Sequence, residues 1–146
     1  MRREYPDSPI PAVSGLVINP EGKVLLAQRA HEPNKGQWSL PGGAVNLGET
    51  LHRALKREVR EECGIEIEVV KFLAVFDRIF ADDQDHIHYH YVLINFLCRW
   101  KSGQLHIGSD TMDAHWLWPE ELCNLDVTPE VEKFILQTYA DENIKR

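Results

Sequence analysis

Apolar and polar positions along the chain predict two strands, a helix, three further strands and a second helix. Residues 12–18 and 23–28 are short, largely apolar runs on either side of Asn19-Pro20-Glu21-Gly22, a set of turn formers suited to a hairpin. Residues 29–35, with Pro33 and Asn34, and then Gly36 read as a loop leading to Trp38 and the Gly42-Gly43 turn. Leu51, Leu55, Val59 and Cys63 recur at helical spacing. Thr50 stands where an N-cap belongs and Gly64 where a left-handed C-cap belongs, so the spacing predicts a helix of about fourteen residues. Downstream, residues 66–76 form a β-branched run, residues 81–85 a polar loop, residues 88–100 a long strand, residues 101–103 a turn and residues 115–118 a short closing strand. Thr128 before Pro129 marks the start of a second helix, in which Val131, Phe134, Ile135 and Thr138 share a face. The order β-β-α-β-β-β-α implies an α/β fold with a mixed sheet between helices. Three prolines among the first eleven positions predict an extended N-terminal arm over residues 1–10, ahead of a single domain over residues 11–146.

Composition narrows the function classes. A chain of 146 residues fits one domain, burying about two-thirds of its unfolded surface. Its net charge of −7 argues against a nucleic-acid polymer as partner, because such binders present an excess of Lys and Arg. Cys63, Cys98 and Cys123 are widely spaced, which points to reduced thiols rather than a disulfide framework or a C-x-x-C metal site. The opening MRREYPDSPIPAV has no apolar core, and no stretch approaches the length of a membrane span, so a soluble, cytoplasmic protein with no membrane partner is expected.

The chemistry concentrates between Gly43 and Ile65, in GAVNLGETLHRALKREVREECGI. Glu58, Glu61 and Glu62 stand at i, i+3 and i+4, so their carboxylates share a helix face beside the apolar stripe. Like charges at this spacing destabilise a helix by a few tenths of a kcal/mol per pair, roughly, unless something offsets them. Arg57 and Arg60 offset part, and a hard divalent cation, which takes oxygen ligands and keeps waters for a phosphate substrate, offsets the rest. An isolated E-x-x-E-E run is usually a solvated face; here the upstream glycines, Glu49 and Arg57 stand in register with it.

That spacing matches the Nudix box position for position, and the sequence resembles the Nudix hydrolases. The resemblance extends to Leu40-Pro41-Gly42-Gly43, to Val24-Leu25-Leu26-Ala27-Gln28-Arg29, and to Trp116-Leu117-Trp118-Pro119-Glu120-Glu121-Leu122, covering roughly residues 10 to 140. It implies a Nudix-type α/β/α sandwich and a Mg²⁺-dependent pyrophosphohydrolase, with Mn²⁺ as the alternative ion. The metal ligands implied are Glu58, Glu61, Glu62 and the Gly42 carbonyl, and Arg29 would contact phosphate rather than serve as a solvated strand-end cation. Arg57 would position Glu58 or pair with Glu49. The general base is Glu61 or Glu62 in some members and an acid on a later loop in others, for which Asp110 stands first, Asp113 next and the acids of residues 82–85 last.

His86, His88 and His90 alternate on one strand face, which suits a cleft lining or a partly exposed sheet face better than a transition-metal site. Trp38, Phe80 and Tyr89 could stack on a base, although aromatics more often fill a core. The proline found about sixteen residues beyond the box in some ADP-ribose-cleaving members is replaced here by Phe80 or Ala81. The leading expectation is cleavage of a small-molecule nucleoside diphosphate derivative, ADP-ribose or a nucleotide sugar; the second is an NTP or oxidised-NTP pyrophosphatase. A catalytically silent nucleotide sensor is the reading from another class, disfavoured because all four box acids are present. Family habits and the proline-bearing arm are compatible with a homodimer.

Overall fold

A computed structural model describes residues 2–145. Its elements run β1 (Ile10–Ile18), β2 (Val24–Arg29), β3 (Trp38–Ser39), β4 (Gly42–Ala44), α1 (Leu51–Cys63), β5 (Glu66–Ala81), β6 (Ile87–Ser102), β7 (Thr111–Leu117), a 3₁₀ turn (Pro119–Asn124) and α2 (Pro129–Asp141). β1 lies parallel to β6 along its whole length, with Ser14 opposite Asn95, while β5 and β6 form a long antiparallel pair. On its other side β1 pairs with β4 and touches β2, and β2 carries β3 and β7, completing a mixed sheet.

Period-two alternation along β1 divides the core. Val13 and Val17, with Leu25 and Phe96, meet the α1 stripe of Ala54, Leu55, Val59 and Cys63 on one face. Leu16, Val24, Leu26 and Leu117 meet Leu122 of the 3₁₀ turn and Ile135 of α2 on the other. Helices on both faces make the expected α/β/α sandwich. Each fully buried Leu or Val contributes on the order of 1.5–3 kcal/mol, so both helices are held mainly by these stripes.

The caps behave as their residue types dictate. Thr50 accepts from the Arg53 N–H at 3.2 Å, and Gly64 closes α1 at φ 73° with its N–H donating to the Arg60 carbonyl. Thr128 accepts from the Val131 N–H at 3.3 Å ahead of Pro129. Strand lengths differ from expectation. β5 runs on to Ala81 and β7 starts at Thr111 rather than residue 115, because ladder pairing carries polar residues such as Asp77, Arg78 and Asp113 into strands that apolar alternation alone would end. β1 begins at Ile10, whose buried side chain pulls the last residue of the expected arm into the sheet. No helix among the described residues is long and apolar enough to cross a membrane.

Candidate active site

β4, the strand that carries Gly42 and Gly43, is placed by its pairing with β1. Gly42 faces Ser14 and Gly43 faces Val13, so a Cβ at Gly42 would lie 2.0 Å from the Val13 carbonyl oxygen. A Cβ at Gly43 would lie 2.5 Å from the Glu58 carboxyl carbon. Glycine is therefore required at both positions by close approach, and the result is a backbone strand laid directly against the helix carboxylates.

Arg57 organises those carboxylates. Its Nε and Nη2 donate to the two oxygens of Glu49 at 2.7 and 2.9 Å, Nη1 donates to Glu58 at 2.8 Å, and Nη2 also reaches the Ala44 carbonyl at 3.0 Å. Glu61, which is 59% exposed, takes a longer contact of 3.3 Å from Nη1. Both roles weighed for Arg57 are thus present in its geometry. The Arg57 fork, together with the Asn46 N–H, holds the Glu49 carboxyl down at about 2.

Glu62 is in the opposite situation. It is only partly accessible, and loss of solvent, with the Glu58 charge beside it, pushes its carboxyl well above the usual range. The Gly42 N–H, donating at 3.4 Å, and the Arg29 charge oppose that rise without cancelling it. Two oxygen-donor groups therefore press against each other beside the Gly42 peptide. Among the described residues no three His, Cys, Asp or Glu side chains close into a metal cage. An open pair of carboxylates fits a hard divalent cation that retains water ligands, and not an ion wanting a complete tetrahedral N/S set.

These groups line a polar cavity of about 680 Å³, whose wall holds Arg29, Gly42, Glu58, Glu61, Glu62 and Asp110. Asp110 sits on this wall with an oxygen 3.2 Å from His31 Nε2, whereas Asp113 turns away to bond the Ala114 N–H and His115. Asp82 is occupied by its own loop, accepting from the Gln84 and His86 N–H groups at 2.9 Å. Of the later-loop acids considered, Asp110 alone lines the cavity. Arg29 also lines it, its Nε donating to the Pro33 carbonyl at 2.7 Å. Burial pulls the Arg29 pKa down, while Glu62 draws it back up.

A second cavity of about 560 Å³ adjoins the first, the two sharing Arg3, Arg29, Ser39 and Tyr91 in their walls. Its walls are largely apolar, with Trp38, Leu40, Phe76, Phe80 and Phe134, and its floor carries Asn95. Asn95 is 2% exposed; its Oδ1 accepts from the Ser14 hydroxyl, and its Nδ2 has no protein partner among the described residues. Asn95 sets a buried amide donor at the floor of an aromatic-lined cavity. Trp38 and Phe80 thus line this cavity, whereas Tyr89 is buried and bonds Glu4. His86, His88 and His90 form no metal cluster; His88 stacks on Tyr5 with ring centroids 4.6 Å apart. Sequence reading missed Asn95, Arg3, Arg78 and His31, because each belongs to the cleft only through pairing with distant segments.

The family model described as NUDIX domain matches residues 8–138. The ADP-ribose pyrophosphatase of Methanocaldococcus jannaschii is 35% identical over 108 residues, 74% of this chain but 61% of that protein, so the chain spans less than two-thirds of that relative. The CTP pyrophosphohydrolase of Escherichia coli is 33% identical over 124 residues, covering 80% of this chain and 82% of that one. Among solved structures, the MutT NUDIX hydrolase of Burkholderia pseudomallei superposes with a TM-score of 0.77 at 28% identity, over 90% of this chain and 98% of the other. With the family model spanning most of the chain and the E. coli relative covered over four-fifths of its own length, the chain belongs to the Nudix hydrolase family.

Proposed function

We propose that the chain is a Mg²⁺-dependent pyrophosphohydrolase that cleaves the diphosphate of a nucleoside diphosphate derivative, ADP-ribose or a nucleotide sugar being the favoured substrates. The observation that carries this reading is the two-compartment cleft, in which a carboxylate-lined cavity opens into an aromatic one across Arg29. Each compartment lies in the size range of small-molecule sites, and their chemistry is complementary to the two halves of such a substrate. The M. jannaschii relative, named an ADP-ribose pyrophosphatase, supports the substrate class.

Nudix hydrolases generally use a divalent metal. Glu58, Glu62 and Gly42 would hold it here, with Glu61 able to join from the same helix face, and Mn²⁺ could take the place of Mg²⁺. When bound, the ion supplies charge neutralisation at the diphosphate and acidifies a water ligand. The remaining work falls to side chains. Arg57 fixes the Glu58 rotamer, Arg29 supplies a fixed cation for a phosphate oxygen, and the aromatic walls with Asn95 Nδ2 orient the base. Glu61 and Asp110 are the exposed carboxylates on the wall from which a proton acceptor is drawn; Asp110, steadied by His31, is the better separated from the Glu58–Glu62 pair.

A second reading, hydrolysis of nucleoside triphosphates, is favoured by the position of Asp110 on the cavity wall and by the E. coli CTP pyrophosphohydrolase relative. One experiment separates the readings: chromatography of the nucleotide products formed from ADP-ribose, nucleotide sugars, dinucleoside polyphosphates and NTPs with Mg²⁺, beside Glu62→Gln. Turnover of diphosphate derivatives that collapses at least a hundredfold, roughly, in Glu62→Gln is the expected result. Preferential NTP turnover would favour the second reading, and tight binding without turnover would replace both with a nucleotide sensor.

A further inference from the structure

We propose that the N-terminal arm delivers Arg3 into the cleft, where it joins Arg29 and Arg78 to form a three-arginine seat for the phosphate attached to the nucleoside. This rests on the substrate reading above but adds residues from outside the box, and Arg3 lies outside residues 8–138 of the family match.

The three guanidinium groups come from three separate segments, the arm, β2 and β5. Arg3 and Arg29 line both cavities, at the boundary between them, and Arg78 lines the aromatic one beside it. Among the described residues no carboxylate lies within 4.0 Å of any of them, while Arg2, their neighbour in the arm, pairs with Asp7. Arg78 instead packs its guanidinium over the Phe80 ring, 5.6 Å from the centroid. Arg29 feels the charge of the other two, because Arg3 and Arg78 both act to lower its pKa. Three cations that make no direct ion pair, in a chain that has 23 acidic residues against 16 basic ones, leave room for an anion to complete them.

The arm is fastened by the two residues that follow Arg3. The Tyr5 N–H donates to the His88 carbonyl at 2.8 Å, its hydroxyl donates to Asp82 at 2.9 Å, and its ring stacks on His88. Glu4 accepts from the Tyr89 hydroxyl at 3.1 Å and lies 3.2 Å from His88 Nε2. The β5–β6 hairpin therefore acts as the anchor for the arm. The seat lies between the aromatic walls, where a base would lie, and the carboxylates, where the metal and the scissile diphosphate would lie. A planar, always-charged guanidinium matches the oxygens of a phosphate in this position better than an ammonium does.

Calorimetric titration of AMP and CMP, beside adenosine and cytidine, in Mg²⁺ buffer tests this without hydrolysis, because a monophosphate holds no anhydride. The wild-type chain is expected to bind at least one monophosphate roughly tenfold or more tighter than its nucleoside. Arg3→Ala should remove about tenfold of that preference and leave nucleoside affinity unchanged, Arg3→Lys should fall between, and Arg2→Ala should match wild type. Tyr5→Ala, which keeps every arginine and frees the arm, should weaken the monophosphate as Arg3→Ala does. Equal wild-type affinity for nucleoside and monophosphate would overturn the seat. So would an Arg3→Ala variant with full monophosphate affinity, or an Arg2→Ala variant as weak as Arg3→Ala. Retained affinity in Tyr5→Ala would overturn delivery by the anchored arm. If these affinities come out as expected while no anhydride is turned over, the anion seat stands and the hydrolase reading falls.

Discussion

Removing the Arg57 guanidinium tests whether the box is held together by charge. Its side chain is 23% exposed, and the Glu49 and Glu58 carboxylates it serves are 15% and 14% exposed, so Arg57→Ala leaves two largely enclosed carboxylates without their cation. Breaking an enclosed pair from one side costs about 3–5 kcal/mol; residual solvent contact here places the loss near the lower end, about 3 kcal/mol. The exposed Glu61 contact adds little. For a domain of this size about 3 kcal/mol corresponds to a fall in Tm of roughly 6–12 °C. Thermal denaturation followed by circular dichroism in EDTA reads it, with Arg53→Ala, an exposed residue of the same helix, as the control. Adding Mg²⁺ should narrow the gap, because a second cation then neutralises Glu58. A fall of less than about 2 °C, or additivity between Arg57→Ala and Glu49→Gln in a double-mutant cycle, would refute the reasoning.

Three further outcomes follow from the same geometry. Gly43→Ala places a methyl 2.5 Å from the Glu58 carboxyl carbon, so divalent-ion affinity measured by calorimetry should fall at least tenfold, roughly. The Cys63 and Cys98 thiols are buried and pushed up to about 12, whereas Cys123 is exposed. Ellman's reagent at pH 8 should therefore titrate one thiol in the native protein and all three after unfolding. The Glu49 carboxyl, held at about 2 against an ordinary 4.5, contributes stability that is fully present above pH 4.5 and is lost as the pH falls toward 2. The destabilisation of Glu49→Gln relative to wild type, read by urea denaturation, should accordingly be constant from pH 7 to 5 and shrink below pH 4.

What the sequence made legible was the chemistry that sits on one helix. Glu58, Glu61 and Glu62 needed only the 3.6-residue period, and the caps at Thr50 and Gly64 needed only residue type. Non-local pairing hid the remainder. Asn95 belongs to the aromatic cavity because β1 runs parallel to β6 and sets Ser14 opposite it, a contact 81 residues apart that no local pattern announces. His31 reaches Asp110 across 79 residues. Strands β3 and β4, two and three residues long, are too short to show a period, yet β4 brings Gly42 to Glu62. The arm was readable as extended from its prolines, but its anchorage depends on Tyr5 meeting Asp82 across 77 residues. An extended segment and an anchored one have the same composition.

The order of charge along the cleft bears on why its like charges are kept unneutralised. Arg29 is within electrostatic reach of Glu62, and a slightly different backbone could have joined the basic and acidic groups in direct pairs. Direct pairing would make the empty protein more stable and leave nothing for a ligand to compensate. Instead Glu58 and Glu62 repel each other beside Gly42, Arg3 and Arg78 act against the Arg29 charge, and Asn95 keeps an unpaired donor in the aromatic floor. In the proposed complex, a base, a phosphate, a second phosphate and a metal ion meet, in that sequence, an amide donor, a cation cluster, a shared boundary and an anion cluster. Each unfavourable contact in the free protein would then be relieved by a different part of one ligand, which favours binding of the whole substrate over its fragments. On this argument the three-arginine seat and the carboxylate pair act together, and a fragment lacking either the phosphate or the metal should show only part of the affinity of the intact compound.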